Sequence, residues 1–173
     1  ASDVYKRQRI DGATVDAVEP SNHRADLVRK ATQGLPVTVH TADGRAPGLE
    51  PGYDRVLVDA PCSGLGALRR RPEARWSKQE SDIDELVPLQ KSLLASAIAL
   101  ARPGGVVVYS TCSPDVRETR GVVDDALERG EVEELEACEY ACGMAETGEA
   151  KSVQMWPHRH GTDAMFFAVL RKK

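Results

Sequence analysis

The 173-residue sequence has few aromatic residues, few cysteines and no long apolar run. Aromatic residues make up only 5% of the chain, so we expect a core built mainly of Val, Leu, Ala and Ile. No apolar segment approaches the roughly eighteen residues of a membrane span, and no signal peptide opens the chain, which together predict a cytoplasmic protein. The four cysteines are too few for a secreted fold held together by disulfides: Cys62, Cys112, Cys138 and Cys142.

Length and composition favour a single globular domain, since 41% of the residues are hydrophobic and 29% are charged. The net charge of −4 argues against a general nucleic-acid coat, but the charge is unevenly distributed. Residues 69–75 (RRRPEAR) contain four arginines, whereas residues 124–149 are rich in acids. A local basic cluster can bind phosphates on an acidic protein, although a solvated loop is the commoner meaning of such a cluster.

Apolar runs alternate with helical patterns along most of the chain. Such alternation predicts an α/β fold with crossover connections and a mostly parallel sheet, and the continuous run Val56–Val58 is typical of a strand covered on both faces. Pro88 is expected to split or kink the second helix, and "RPGG" (102–105) to break the chain before the fourth strand. Strands are predicted at 13–20, 35–44, 53–62, 106–112 and 163–172, and helices at 21–34, 78–102 and 113–130.

Polar residues follow four of these strands, where ligands of parallel sheets bind. They are Glu19, Asp43, Asp59 with Cys62, and Thr111 with Cys112. A carboxylate at Glu19 can accept hydrogen bonds from two ribose hydroxyls, although a helix-capping acid fits equally well, and Asp43–Gly44 is also typical of a turn.

The two strand-end cysteines occupy similar settings, "DAPCSG" and "STCSP". A buried structural thiol is the common meaning of one such cysteine, but two in equivalent positions favour a chemical role. Zinc is not expected, because neither has a second cysteine at C-x₂-C spacing. Cys138 and Cys142 stand in an acidic stretch without a matching pair and are expected to be structural.

Two segments carry a family resemblance: VLVDAPCSGLGALRRRPEARW (56–76) and LQKSLLASAIALARPGGVVVYSTCSPDVRE (89–118). They closely resemble the Sun/NOL1/NOP2 group of RNA cytosine-C5 methyltransferases, and the Sun-type ribosomal RNA enzymes of bacteria are nearest. The resemblance implies a Rossmann-like class I methyltransferase sheet with helices on both faces. It also implies S-adenosylmethionine as cofactor, RNA (ribosomal RNA above all) as partner, and a monomeric intact enzyme without metal or membrane attachment.

The same resemblance implies roles for particular residues. Cys112 would add to cytosine C6 as the nucleophile, Cys62 would assist product release, and Asp59 would hydrogen-bond the cytosine ring. Glu19 and Asp43 would bind the ribose and adenine of the cofactor, and Asp59 is assigned to the cofactor site as well. The residues themselves do not distinguish the two thiols, so their order depends on the family.

The basic segment would face RNA, with phosphate contacts from Arg69, Arg70, Arg71 and Arg75. For the neighbouring Trp76, a packed aromatic that anchors the loop is the favoured interpretation. The alternative function is an RNA-binding domain that keeps this fold without transferring methyl groups.

One family feature is missing from the sequence. Residues 1–18 (ASDVYKRQRIDGATVDAV) contain no glycine-rich loop of the form Asp-x-x-Ala-Ala-Pro-Gly-Gly-Lys, which in the family precedes the strand that ends at Glu19. We therefore expect residues 1–10 to have no family counterpart. Residues 11–173 are expected to be a partial catalytic domain that lacks the first strand and the cofactor loop.

Overall fold

The computed structural model describes residues 12–77, 79–140, 146–148 and 151–173, so the expectation for residues 1–10 lies outside the described residues. The helices are α1 (Asn22–Ala31), α2 (Ala74–Ser77), α3 (Glu80–Leu100), α4 (Arg120–Glu128) and α5 (Pro157–His160). The strands are β1 (Val15–Val18), β2 (Val37–His40), β3 (Tyr53–Asp59), β4 (Ala101–Thr111), β5 (Val132–Leu135), β6 (Val153–Gln154) and β7 (Phe166–Lys172). Short 3₁₀ helices cover Leu65–Ala67, Val116–Glu118 and Ala137–Tyr140.

The first of two compact units, residues 1–49, contains β1, α1 and β2. β1 and β2 pair in parallel, from Val15 opposite Val37 to Val18 opposite His40. Ser21 caps α1, because its side-chain oxygen accepts a hydrogen bond from the N–H of Arg24. The predicted strand–helix–strand crossover is therefore present, with its helix shorter than the sequence indicated.

The second unit, residues 50–173, contains a sheet with the strand order β3-β4-β7-β5, and β6 also pairs with β7. β3 and β4 are parallel, but β7 runs antiparallel to β4, β5 and β6. The expectation of a mostly parallel sheet is wrong for this unit. The sequence pattern did not predict β5 or β6, and antiparallel neighbours need no crossover helix to join them.

Helices α3 and α4 pack against one face of this sheet and form the main core with it. Its centre consists of side chains that are at most 1% exposed: Leu94, Val107, Tyr109, Val123 and Leu170. A smaller cluster, which includes Ala137, Val153 and Val169, covers the opposite face. The α/β fold class predicted from the sequence is thus confirmed.

Pro88 does not interrupt α3, which continues from Glu80 to Leu100, so the predicted split is wrong. A proline removes one N–H and leaves the carbonyl of Asp84, four residues earlier, without its helical partner. Because Pro88 and Asp84 are both exposed, water can satisfy that carbonyl. No described helix, α3 included, combines the length and apolarity needed to cross a membrane.

Two further predicted boundaries are wrong near the site. β4 passes through the predicted break at 102–105 with a register shift, since Tyr53 pairs with Ala101 and Arg55 pairs with Val106. The helix predicted from Ser113 begins only at Arg120. The Ser113 hydroxyl instead donates a hydrogen bond to Glu118, and a 3₁₀ turn fills the space before α4.

β3 is not covered on both faces as its apolar run predicted. Val58 faces the core and is 9% exposed, whereas Leu57 points to the other face and is 45% exposed. Among the described strands β3 pairs with β4 alone, which places it at the end of this sheet.

Candidate active site

The two strand-end cysteines meet at the carboxyl ends of β3 and β4. These strands are parallel and in register, with Asp59 opposite Ser110, so the turns that follow them begin side by side. A backbone hydrogen bond of 2.9 Å from the N–H of Ala60 to the carbonyl of Ser110 extends the pairing past the end of β3. The Sγ atoms of Cys62 and Cys112 consequently lie 3.4 Å apart, although 50 residues separate them in the chain.

The contact between the two thiols shifts their pKa values in opposite directions. The hydrogen bond from Cys62 lowers the pKa of the Cys112 thiol, and this effect exceeds the opposing effects of burial and of the nearby Asp59 carboxylate. The same hydrogen bond, followed by burial, raises the pKa of Cys62. These shifts have the directions expected if Cys62 donates to Cys112, and they favour Cys112 as the sulfur that ionises first. Since the thiolate is the nucleophilic form of cysteine, the lowered pKa favours Cys112 as the more reactive of the two.

Gly66 joins the segment that follows Cys62 to the Cys112 turn and to a third segment, around Ala164. The N–H of Gly66 donates to the carbonyl of Cys112, and the carbonyl of Gly66 accepts from the N–H of Ala164, both at 2.9 Å. A Cβ atom at Gly66 would lie 2.0 Å from the Ala164 carbonyl oxygen and 2.8 Å from that of Cys112. The absence of a side chain at Gly66 is thus what allows the three segments to meet.

All four arginines of the basic segment are exposed, but only two of them have partners in the part of the chain that the structure describes. Arg69 donates to the Gly161 carbonyl, and Arg70 forms an ion pair with Asp163, whose side chain is only 8% exposed. The Arg70 ion pair also holds the pKa of Asp163 below its ordinary value. Arg71 and Arg75 are exposed and form no ion pair with the part of the chain that the structure describes.

Trp76 is 86% exposed, so the interpretation of this residue as a packed anchor of the loop is wrong. It lies on the short helix α2 together with Arg75. An aromatic ring beside unpaired arginines is a combination that suits single-stranded nucleic acid, because bases stack on the ring while the cations meet phosphates.

The first unit contains the two carboxylates that the resemblance assigns to the cofactor. Glu19 follows β1, and its Oε1 accepts hydrogen bonds from the backbone N–H of Ser21 and from the Arg24 guanidinium. Asp43 pairs with Arg45, which lowers the pKa of Asp43 to about 2. Both side chains are therefore acceptors already engaged by local donors.

The other two cysteines, Cys138 and Cys142, were expected to be structural. Cys138 is exposed in the 3₁₀ helix Ala137–Tyr140, so burial gives no support to the structural role expected for it. Cys142 lies outside the described residues.

Sequence reasoning did not identify Glu118, which is fully buried beneath the cysteine turns. Its carboxylate accepts hydrogen bonds from Ser63, Gln90 and Ser113. Charged residues lie within two positions of it in the sequence, Arg117 and Arg120, so the local sequence is typical of a solvated segment and carries no signal of a buried acid.

The solved structures that resemble this chain identify its class. NSun6 from Pyrococcus horikoshii, solved with SFG, superposes with a TM-score of 0.81 at 29% identity over 92% of this chain and 41% of that protein. A methyltransferase homologue from Pyrococcus horikoshii superposes with a TM-score of 0.76 at 25% identity over 93% of this chain and 54% of that protein. The fold is thus that of a methyltransferase.

The family follows from the sequence comparisons. The family described as 16S rRNA methyltransferase RsmB/F matches residues 8–171, and the chain belongs to this family, which confirms the Sun-type resemblance. The protein of Mycobacterium tuberculosis H37Rv named "Putative methyltransferase Rv1407" is 60% identical over 161 residues. The ribosomal RNA small subunit methyltransferase B of Yersinia pseudotuberculosis (strain IP 31758) is 34% identical over 168 residues. These alignments cover 92% and 93% of this chain but only 35% and 37% of the relatives, so the chain spans about a third of their length.

Proposed function

We propose that this chain carries the catalytic thiols of an enzyme that transfers a methyl group from S-adenosylmethionine to C5 of a cytosine in RNA, with ribosomal RNA as the substrate. The observation that carries the proposal is the pair of thiols, 3.4 Å apart, at the ends of two parallel strands. Membership of a family described by its action on 16S rRNA supports the choice of substrate, and with it the expected cytoplasmic location.

Cytosine C5 is a poor nucleophile, so the ring has to be activated before it can accept a methyl group. The Cys112 thiolate adds to C6, and the electron pair displaced from the C5–C6 double bond makes C5 nucleophilic. S-adenosylmethionine, when bound, supplies an electrophilic methyl group. Loss of the C5 proton to a base then returns the electron pair, and the bond between C6 and Cys112 breaks.

Three features of the site support these roles. The lowered pKa of Cys112 keeps a larger fraction of it as thiolate near neutral pH. Cys62, which holds its proton, is a donor beside the sulfur that must leave, and we assign it to product release. Asp59 ends β3 close enough to the Cys112 thiol to raise its pKa, and we assign this carboxylate to the cytosine ring and to charge that develops on addition.

The first unit offers a partial fit to the cofactor. All described donors to Glu19 reach Oε1, so Oε2 is left to accept from a ribose hydroxyl. The Asp43 oxygens accept four contacts from Arg45, which fills the capacity of a carboxylate. Asp43 can therefore bind an adenine amino group only if Arg45 turns away. The assignment of Asp59 to the cofactor stays a prediction.

On the RNA side, we assign phosphate contacts to Arg71 and Arg75 and base stacking to Trp76. Arg69 and Arg70 were assigned the same role from the sequence. Their contacts with Gly161 and Asp163 favour a role in holding the segment in place instead.

Covalent trapping tests the proposal. The chain is joined to the upstream part of the Mycobacterium tuberculosis relative and incubated with S-adenosylmethionine and ribosomal RNA that contains 5-fluorocytosine. Fluorine at C5 cannot be removed as a proton is, so the protein–RNA adduct persists. We expect Cys112→Ala to abolish the adduct and Cys138→Ala, at an exposed thiol outside the site, to retain it.

Other outcomes discriminate between the candidates. An adduct that survives Cys112→Ala and is lost in Cys62→Ala would reverse the two roles. RNA binding without an adduct in any variant would favour the RNA-binding domain that lacks methyl transfer. Titration of S-adenosylmethionine into the chain alone and into the joined protein tests the expectation that this chain lacks the cofactor loop. Binding by the joined protein alone would support that expectation.

A further inference from the structure

Glu118 connects the two cysteine turns through hydrogen bonds to the residues that follow the cysteines. Each cysteine is followed directly by a serine, Ser63 or Ser113, and both serines are buried. The Ser63 and Ser113 hydroxyls donate to the same atom, Glu118 Oε2, at 2.5 Å and 2.6 Å. One carboxylate oxygen therefore holds the residue that follows Cys62 and the residue that follows Cys112.

The other carboxylate oxygen fixes the first turn against helix α3. Glu118 Oε1 accepts from the backbone N–H of Ser63 at 2.8 Å and from Nε2 of Gln90 at 3.0 Å. The same Gln90 nitrogen donates to the carbonyl of Pro61 at 2.9 Å. The residues on both sides of Cys62 are thus tied to Glu118, directly or through a single side chain.

The backbone of Glu118 is fixed as well, because the buried Tyr109 hydroxyl of β4 donates to its carbonyl at 2.8 Å. All four groups around the carboxylate are donors, and a buried carboxylate that loses its donors is strongly disfavoured. The two turns cannot move apart without breaking these hydrogen bonds in a site closed to water. A carboxylate so placed constrains position more than an apolar contact would.

We propose that Glu118 is a positioning residue that sets the separation of the Cys62 and Cys112 sulfurs. Glu118 accepts from the serine that follows each thiol and thereby holds the Cys62 hydrogen bond on Cys112. The use of this geometry in methyl transfer depends on the function proposed above, whereas the positional effect is a property of the chain alone.

The test measures how readily the two thiols reach each other. In the 173-residue chain with Cys138→Ser and Cys142→Ser, glutathione disulfide oxidises Cys62 and Cys112 to an intrachain disulfide and is itself reduced to two glutathione molecules. The equilibrium ratio of oxidised to reduced chain, at fixed glutathione ratios, gives the effective concentration of one thiol near the other. No RNA or S-adenosylmethionine is needed, so a failure here is distinct from a failure of the trapping experiment.

We expect Glu118→Ala to lower the effective concentration at least tenfold. Glu118→Gln should stay within about threefold of the parent, because its amide oxygen can face Ser63 N–H and Gln90 while its NH₂ donates to the rotatable hydroxyls. Ser113→Ala removes one of the four hydrogen bonds to Glu118, together with the one that the Ser113 oxygen accepts from the N–H of Asp115. This variant should give an intermediate value, and it remains informative if Glu118→Ala does not fold.

Val132→Ala separates position from general stability. Val132 is 2% exposed in β5, so its truncation destabilises the core without touching either cysteine turn. The proposal predicts an unchanged effective concentration for this variant. It is overturned if Val132→Ala causes the same loss as Glu118→Ala, or if Glu118→Ala and Ser113→Ala both leave the effective concentration unchanged.

Discussion

Replacement of Gly66 by alanine should destabilise the second unit severely, because Gly66 is where three chain segments touch. The added Cβ would lie 2.0 Å from the carbonyl oxygen of Ala164, and ordinary van der Waals contact begins at 3.4 Å. The two segments would have to separate by about 1.4 Å. Both obstructing atoms belong to the backbone, so no side-chain rotation relieves the clash.

The expected cost follows from the hydrogen bonds that this movement breaks. Gly66 donates to Cys112 and accepts from Ala164, and a buried backbone group left unpaired costs about 1–3 kcal/mol. We expect a total loss of about 3–5 kcal/mol from the free energy of unfolding, a large part of the stability of a typical domain.

Urea unfolding followed by tryptophan fluorescence measures this loss, because Trp76 and Trp156 both lie in the second unit. Gly130→Ala is the matched control: Gly130 has φ +76°, but no atom lies within 4 Å of its added Cβ. That variant should lose only about 1–2 kcal/mol of unfolding free energy, which is the cost of a left-handed backbone conformation at a residue with a side chain. A Gly66→Ala protein as stable as Gly130→Ala would refute the argument from close approach.

Three other variants test the site and its surroundings. Cys62→Ala removes the donor to Cys112, so the pKa of Cys112 should rise and its alkylation by iodoacetamide at pH 7.5 should slow, as followed by mass spectrometry. Arg71→Gln combined with Arg75→Gln should make RNA binding less sensitive to salt. The slope of the logarithm of the binding constant against the logarithm of the salt concentration should fall by about 0.7–0.9 per arginine, as measured by titrations at several salt concentrations. Trp76→Ala should weaken RNA binding by about 1–3 kcal/mol in the same assay and leave the unfolding free energy nearly unchanged, because the ring is 86% exposed.

The cysteine and arginine predictions each have a control in the same chain. Cys62→Ser keeps a hydroxyl donor and should retain much of the fast alkylation of Cys112, so equal rates in all three proteins would contradict the hydrogen-bond explanation. Arg102 is paired with Asp54 near the start of β4, at the opposite end of that strand from Cys112. Arg102→Gln should therefore leave the salt dependence of RNA binding unchanged, and a reduction equal to that of the double variant would indicate non-specific charge effects.

The sequence predicted the meeting of the two strand-end cysteines better than it predicted the sheet. β3 and β4 are apolar runs that end in acids, small residues and cysteines, and parallel strands bring such ends together. The approach of Cys62 to Cys112 follows from that rule, combined with a family motif that spans both turns. The strands β5 and β6 are short, four and two residues, and their apolar patterns are too brief to be distinguished from loop.

Features that depend on tertiary contacts were missed or wrongly assigned. The exposure of Trp76 depends on what packs around α2, and no local pattern encodes that. The break expected at 102–105 is a bulge in β4, accommodated by Gly105 where an added Cβ would lie 2.9 Å from the carbonyl oxygen of Tyr53. Glu118 is surrounded by charges in sequence and by hydrogen-bond donors in space, so only the fold identifies it as buried.

Two features of the structure place the thiols: the register of the strands and the hydrogen bonds to Glu118. The register of β3 against β4, with Asp59 opposite Ser110, brings the two turns to the same edge of the sheet. Register alone leaves each turn several rotatable bonds before its sulfur, and a hydrogen bond between thiols depends steeply on distance and angle. The four hydrogen bonds to Glu118 remove that freedom on both sides at once. The lowered pKa of Cys112 depends first on its hydrogen bond with Cys62, so it should be lost when Glu118 is removed even though neither cysteine has changed.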